Sequence, residues 1–205
     1  MKAASARFQF PVNYHFTDEV QSTSDPALVY EDSVLQVQAF PLRHRIPCCG
    51  FLFTQQQKER TYLPEVGAKY HLPYAAIAQV KKGADYVTPD GRRIPNSTLT
   101  APPAPPRVYA FCTDTRPLDS TIEFVRGVHC LYHEGTFMEQ DAQRANDTFH
   151  STAREAAELA RKAEVGKLLL GHFSARYKVL DGLLDEARAV FPDTLLAQEG
   201  KRFAI

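Results

Sequence analysis

Hydrophobic and polar residues alternate in several short segments of the chain, and this pattern predicts β-strands. Side chains of a strand point alternately to the two faces of a sheet, so alternation is typical of a strand with one buried face. A short uninterrupted apolar segment is consistent with a strand that is buried on both faces, and such segments add to the predicted sheet. The predicted strands cover residues 8–16, 34–40, 50–54, 107–113, 128–132, 167–171, 195–197 and 202–204.

Two segments near the C-terminus show helical periodicity instead. Thr152 is followed by Glu155 at the spacing of a capping box, which predicts a helix that begins there. Apolar residues recur at helical spacing over residues 179–190, where Pro192 would end the helix. Shorter helices are predicted for residues 73–82 and 120–125. Strands that alternate with helices favour a mixed α/β fold.

Residues 55–105 have the least regular pattern. Pro89, Asp90 and Gly91 form a turn signal, and the proline-rich residues 101–106 predict an extended, stiff segment. Long irregular regions inside a domain are usually functional or mobile. We therefore interpret residues 55–105 as an excursion inserted into the 1–205 domain.

Composition narrows the classes of function. The formal net charge is zero and the pI is about 7.0, so no global field attracts nucleic acid, and any such partner must be held by local basic patches. We expect no membrane partner, because no long apolar run or secretory signal is visible. The four cysteines form no C-x-x-C pair, and their pattern fits a reducing cytoplasm.

Polar residues that suit a metal site follow the predicted strands. Imidazole and carboxylate together are the ligands that zinc or manganese prefers in proteins. Any one loop histidine is more often a surface or packing residue, so the hypothesis depends on the whole set converging. Those candidates are His44, Asp114, His133, Glu134 and His172 after strands, and His150 before a helix.

Six segments, taken in order, resemble the ribonuclease Z family of tRNA 3′-end endonucleases. The resemblance runs from about residue 34 to the C-terminus. It implies an α/β (α+β) fold, namely a metallo-β-lactamase-like αββα sandwich with at least one sheet flanked by helices. The segments are PLRHRIPCCGF, CTDTRP, YHEGTF, HSTAREAAELA, LLLGHFSARY and EARAVFPDTLLAQEG.

The family resemblance also implies a ligand set for two zinc ions, with manganese as the alternative metal. By position, His44 would bind one zinc, Asp114 would bridge both, and His172 would bind the second. The excursion at residues 55–105 would lie where the family grips tRNA, and its basic residues suit a nucleic-acid backbone.

Catalytic roles follow from the resemblance in the same way. Glu134 and His150 would form a pair that protonates the leaving oxygen, because a carboxylate can orient a histidine as a general acid. Ser174 and Arg176 would help to hold phosphate near the cleaved bond.

The family's H-x-H-x-D-H motif does not occur in these 205 residues. We therefore expect the chain to correspond to the C-terminal part of the family pattern, with an incomplete sandwich and an incomplete active site. Fewer than three protein ligands for each zinc predict weak or absent metal binding by this chain alone. The missing half would also have filled one sheet of the sandwich, so we expect exposed apolar surface, self-association and a homodimer.

Three functions remain open on the sequence alone. The first is a zinc phosphodiesterase that removes the 3′ trailer from tRNA precursors. The second is a non-catalytic module that binds tRNA or dimerises. The third is another hydrolase of the metallo-β-lactamase fold, against which the HSTAREAA and SARY segments argue.

Overall fold

The computed structural model describes residues 11, 20 and 25–205. The strand predicted for residues 8–16 therefore lies, apart from Pro11, outside the described residues. Eleven strands are present in the described part. They are β1 (Ala27–Glu31), β2 (Leu35–Leu42), β3 (Cys48–Gln55), β4 (Thr61–Tyr62), β5 (Tyr86–Val87), β6 (Arg93–Ile94), β7 (Thr100–Ala101), β8 (Val108–Cys112), β9 (Cys130–Glu134), β10 (Leu168–Gly171) and β11 (Thr194–Leu196).

Seven of these strands form one sheet in the order β1-β2-β3-β8-β9-β10-β11. Strands β1, β2, β3 and β8 pair antiparallel, whereas β8, β9, β10 and β11 pair parallel. The carboxyl ends of parallel strands meet at one edge of a sheet, so the loops after β8, β9 and β10 are neighbours. This edge holds the candidate site.

Seven α-helices accompany the sheet in the described part. The alternation of helices and parallel strands confirms the mixed α/β class. They are α1 (Pro64–Lys69), α2 (Tyr74–Lys81), α3 (Asn96–Leu99), α4 (Asp119–Phe124), α5 (Ala142–Thr148), α6 (Ala153–Lys162) and α7 (Asp181–Val190).

Helix α6 begins as its sequence predicts. The Thr152 side chain accepts a hydrogen bond from the Glu155 amide at 3.1 Å, and the Glu155 carboxylate accepts one from the Thr152 amide at 2.8 Å. These bonds satisfy two of the amides that a helix leaves free at its start. The alanine face of α6 is fully buried, so the helix packs close to the sheet.

The main core lies between one face of the sheet and helices α4, α6 and α7. Phe40, Leu131, Leu168 and Leu170 are fully buried there. Each such side chain contributes about 1.5–3 kcal/mol by leaving water. The core thus fixes the strands whose ends carry the candidate site.

The opposite face of the sheet carries a row of partly buried aromatic rings. Phe53 lies against Tyr109 with ring centroids 5.7 Å apart, and Phe111 stacks on Tyr132 at 4.7 Å. The described residues form this one large sheet, with the main core on its other face. The predicted sheet flanked by helices is therefore present.

The excursion has more regular structure than its sequence predicts. Residues 61–101 contain three helices and two small two-stranded sheets, with α2 close to its predicted position. Val80, Ile94 and Leu99 form a separate small core. This part of the chain is consequently a small packed unit rather than an irregular loop.

The strand predicted for residues 202–204 is wrong, because those residues form no regular element. Arg107 donates a hydrogen bond to the Ile205 carbonyl at 3.1 Å, which holds the segment by a side chain instead of a ladder.

In the described part of the chain, no helix is both long enough and apolar enough to cross a membrane.

Candidate active site

Five candidate residues lie together at the carboxyl ends of the parallel strands, and each comes from a different strand end or loop. Asp114 follows β8, Glu134 is the last residue of β9, and His172 follows β10. His44 comes from the β2–β3 connection, and His150 precedes α6. The parallel arrangement of β8, β9 and β10 explains why residues far apart in sequence meet here.

Glu134 is fully buried and forms the centre of the cluster. Its carboxylate accepts hydrogen bonds from the Thr115 amide, the Ser151 amide and the Thr136 hydroxyl. The Nδ1 atom of His150 lies 3.0 Å from Oε1 of the same carboxylate. A buried carboxylate without such partners would be strongly destabilising, and these four contacts offset its desolvation.

Three imidazoles at this edge each use Nδ1 for a contact with the protein. His44 Nδ1 lies 3.1 Å from the Phe149 carbonyl, and His172 Nδ1 lies 2.9 Å from the Thr136 hydroxyl. The Phe149 carbonyl and the Glu134 carboxylate can only accept, and the Thr136 hydroxyl gives its proton to Glu134, so all three contacts are satisfied when Nδ1 carries the proton. The three Nε2 lone pairs then remain available as metal ligands or proton acceptors.

The rings and Asp114 lie close enough to share a metal ion. Ring centroids of His44 and His150 are 5.1 Å apart, and those of His150 and His172 are 5.3 Å apart. Ligand atoms of His44, Asp114 and His150 lie within 4.8 Å of one another, as do those of Glu134, His150 and His172. His150 belongs to both groups, although the sequence predicts a proton-transfer role for it.

The donor chemistry of these residues fits a divalent metal. His172 Nε2 lies 3.4 Å from an Asp114 carboxylate oxygen. A neutral imidazole nitrogen and a carboxylate oxygen are both acceptors, so a cation between them would satisfy both. The Glu134–His150 contact is also the carboxylate–histidine pairing that orients metal ligands in many proteins.

Backbone conformation at the site is unusual. Asp114, Phe149 and His172 have φ values of 52°, 63° and 56°, and they are three of the five non-glycine residues with positive φ in the described part. Such residues are uncommon and often lie where function demands a special geometry. The left-handed turn at Phe149 directs its carbonyl to His44.

Ser174 and Arg176 lie at the rim of this cluster. The Arg176 guanidinium lies 5.3 Å from the centre of the Phe137 ring, which meets the His150 ring at 6.2 Å. Arg176 also donates to Asp141 at 2.9 Å. The Ser174 amide donates to the Thr136 carbonyl at 3.1 Å.

His133 does not join either possible metal group. Its ring is fully buried, and burial lowers the pKa of His133, which favours the neutral form. Its Nδ1 donates to the Glu134 carbonyl at 2.8 Å, so it supports the backbone beside the site.

Cys48 lies beside the site and keeps its proton. Burial raises the pKa of the Cys48 thiol to about 11. Its Sγ atom donates to the Asp114 carbonyl at 3.4 Å, so this cysteine is a neighbour of a candidate ligand.

Thr136 and Phe149 have roles that the sequence did not predict. Thr136 joins Glu134 to His172 through one hydroxyl, and its position two residues after Glu134 was the available signal. The Phe149 carbonyl orients His44, and no sequence pattern indicates a positive φ at a phenylalanine.

The fold is similar to that of a solved bacterial protein. The metallo-β-lactamase fold protein YhfI from Bacillus subtilis aligns with a TM-score of 0.55 at 18% identity, over 85% of this chain and 51% of that one. The fold and the site geometry define a metallo-β-lactamase fold protein. No family model matches the sequence.

Sequence relatives define the family more closely. The chain is 49% identical to Ribonuclease Z of Parabacteroides distasonis over 179 residues, which cover 87% of this chain and 59% of that protein. It is 47% identical to Ribonuclease Z of Porphyromonas gingivalis strain W83 over 196 residues, which cover 96% of this chain and 63% of the relative. Over most of its length the chain is similar to Ribonuclease Z proteins, and it spans about three fifths of the length of these curated relatives.

Proposed function

We propose that this chain carries part of the active site of a metal-dependent endoribonuclease that removes the 3′ trailer from tRNA precursors. The observation that supports this most is the convergence of three imidazoles and Asp114 around buried Glu134. The identity to Ribonuclease Z proteins adds to it. Phosphodiester hydrolysis is a reaction that such a donor set can serve.

Zinc is the metal that the imidazole and carboxylate donors favour, with manganese as the alternative. In a complete site with two ions, His44 would contribute to the first, His172 to the second and Asp114 to both. Bound ions would supply Lewis acidity and lower the pKa of a bound water.

His150 would hold the proton that the leaving oxygen needs. Its Nδ1 contact with Glu134 fixes the orientation of the ring and leaves Nε2 towards the cluster. A histidine held this way by a carboxylate is suited to general acid catalysis. Protonation at Nε2 would allow transfer to the leaving oxygen while Glu134 stabilises the charged ring.

Arg176 and Ser174 would position the phosphate beside this pair. A guanidinium can bind two phosphate oxygens at once. The Arg176 side chain is 34% exposed and pairs with Asp141, so its guanidinium can leave this carboxylate, or bind it together with a phosphate, when substrate enters.

Residues 55–105 would contact the tRNA away from the cleaved bond. This unit has its own core and exposes several basic side chains, which suits contact with phosphates. Its exposed basic residues are Lys58, Lys69, Lys82, Arg92 and Arg93.

We also propose a homodimer in a reducing cytoplasm. Among the described residues, strand β1 is the outermost strand of the large sheet, and its Leu28 and Tyr30 are about half-exposed, which favours pairing with another chain. The thiol form of all four cysteines agrees with a reducing compartment.

A second function is a non-catalytic module that binds tRNA or completes another subunit. The separate small core and the exposed basic side chains of residues 55–105 favour it. In this case the cluster would bind substrate phosphate or a metal without cleaving RNA.

Cleavage of a precursor tRNA with a 3′ trailer tests these functions directly. The purified chain is incubated with zinc or manganese, and His172→Ala serves as the site variant. A trimmed product that is lost with a chelator and with the variant supports the nuclease. Binding of the precursor without cleavage supports the module, and neither binding nor cleavage contradicts both.

A further inference from the structure

Arg116 joins the loops that carry the candidate site. Its amide donates to the Arg43 carbonyl at 2.9 Å, and the Arg43 amide donates to the Thr115 hydroxyl at 3.1 Å. These two bonds connect the loop of His44 with the loop of Asp114. The backbone of Arg116 is thus hydrogen-bonded to the loop that carries His44.

The Arg116 side chain reaches a third loop. Its Nη1 atom donates to the His150 carbonyl at 2.7 Å and to the Glu155 carboxylate at 2.9 Å. Its Nη2 atom donates to the other oxygen of Glu155, so the ion pair is bidentate. The side chain is only 19% exposed, and such paired, partly buried guanidinium groups have a well-defined geometry.

Glu155 is itself fixed by the capping box at the start of α6. It accepts from the Thr152 amide while it binds Arg116. The guanidinium therefore has a rigid anchor on the helix. The second contact of Nη1, to the His150 carbonyl, is not needed to stabilise that helix.

The peptide that Arg116 holds lies at the centre of residues 149–151. The Phe149 carbonyl orients His44, His150 binds Glu134, and the Ser151 amide binds Glu134 as well. Phe149 adopts a left-handed conformation, which is costly for a residue with a side chain. A donor on the next carbonyl can hold this strained segment in place.

We propose that Arg116 is a positioning residue that fixes the His150 peptide and, through it, the orientations of the His150 and His44 imidazoles. Its effect on RNA cleavage rests on the proposed function. Its effect on the two rings does not. A role limited to helix stability predicts no change in the rings of a folded variant.

Histidine NMR tests the structural part on the full chain. Long-range ¹H–¹⁵N spectra report which ring nitrogen carries the proton, and the variants are Arg116→Ala and the control Arg126→Ala. Arg126 pairs with exposed Glu123, away from the cluster. We expect Arg116→Ala to replace the single Nδ1–H form of His150 and His44 by a mixture, and the control to match the parent chain.

Guanidinium rescue separates positioning from general stability. Low concentrations of guanidinium ion are expected to restore the original His150 signal in Arg116→Ala, whereas sodium at equal ionic strength is not. A folded Arg116→Ala whose two histidine signals equal those of the parent chain overturns the proposal.

Glu155→Gln keeps the experiment decisive if Arg116→Ala does not fold. Glutamine still serves in a capping box, so α6 keeps its start while the ion pair is lost. A partial change of the His150 ring from the single Nδ1–H form to a mixture of tautomers supports the proposal. Unchanged rings in Glu155→Gln overturn it in that case.

Cleavage kinetics form the second arm of the test. If the parent chain cleaves precursor tRNA, Arg116→Ala should lower kcat about ten- to a hundredfold with little change in KM, because loss of a supporting partner has effects of this size. An equal kcat with altered rings would overturn the link to catalysis. A parent chain that does not cleave contradicts the proposed function, while NMR still decides the role of Arg116.

Discussion

The Nδ1 atom of His150 lies 3.0 Å from a Glu134 carboxylate that is fully buried. The second oxygen of that carboxylate accepts from the Ser151 amide and the Thr136 hydroxyl. One side chain therefore fixes the orientation of His150 and the position of two neighbouring loops. Its removal should affect both chemistry and stability.

Glu134→Gln should slow RNA cleavage and lower the free energy of unfolding. The amide can replace only one carboxylate oxygen, so its NH₂ group would face either the Ser151 amide or the His150 Nδ1–H. An unsatisfied buried donor costs about 1–3 kcal/mol. Urea unfolding measures that loss, and metal analysis of the same samples tests the ligand role.

Retained metal in Glu134→Gln would support an orienting role for Glu134, whereas loss of bound metal from the folded variant would make Glu134 a ligand. A variant as stable and as active as the parent chain would contradict the importance of the four contacts to this carboxylate.

Thr136→Val should weaken metal binding while the fold is retained. The hydroxyl connects Glu134 with His172 Nδ1, and valine has nearly the same shape without a polar group. Loss of a partner that orients a metal ligand typically lowers affinity about ten- to a hundredfold. Calorimetric titration with zinc measures the change.

Thr121→Val is the matched control for that substitution. The Thr121 hydroxyl is buried and has no hydrogen-bond partner among the described residues. Replacing an unsatisfied buried hydroxyl by a methyl group should leave zinc affinity unchanged and raise the free energy of unfolding by up to about 1 kcal/mol. Equal zinc affinities of the two valine variants would contradict a role for Thr136 in orienting His172.

His133 should make the protein less stable at mildly acidic pH. Burial lowers the pKa of His133 below its unfolded value of 6.5, so the unfolded chain binds more protons in the window below that pH. The contribution of His133 to the free energy of unfolding is therefore fully present above about pH 6.5, and it is lost as the pH falls towards the pKa of the folded state. Urea unfolding between about pH 7.5 and 5.5 measures this dependence.

His133→Asn should reduce that pH dependence, because asparagine does not titrate and its amide can still donate to the Glu134 carbonyl. His71→Asn is the control, since His71 is exposed. A variant at position 133 with the full pH dependence of the parent chain would assign the effect to other groups.

The sequence predicted the elements whose side-chain pattern is local. The capping box at Thr152 and Glu155 marked the start of α6, and β10 followed as an apolar run. The convergence of His44 and Asp114 depends on strand order, which no local pattern encodes. The positive φ of Phe149 was also invisible, because phenylalanine has no preference for that conformation.

The excursion was mispredicted as irregular for a related physical reason. Its strands contain only two residues each, which is too short for a visible alternation. Much of its order comes from buried Asn96, whose amide donates to the Val80 and Ala84 carbonyls at 2.6 and 2.8 Å. Hydrogen bonds from one side chain to distant backbone groups leave no periodic signal in a sequence.

Asn96→Ala should unfold the excursion while the main core stays intact. The substitution leaves the Val80 and Ala84 carbonyls without their buried donor and removes one of the two acceptors of the Thr100 hydroxyl, which keeps the backbone carbonyl of residue 96. Each unsatisfied buried group costs about 1–3 kcal/mol, which is large for a unit whose core is mainly Val80, Ile94 and Leu99. Hydrogen exchange should accelerate over residues 61–101 and remain slow in β8, β9 and β10.

This variant also tests whether the excursion binds substrate. If residues 55–105 grip tRNA, Asn96→Ala should weaken precursor binding while zinc binding at His44, Asp114 and His172 is unchanged. Ser97→Ala is a suitable control, because Ser97 is exposed on the same short helix. Unchanged RNA affinity with an unfolded excursion would assign the RNA contacts to the large sheet and its loops instead.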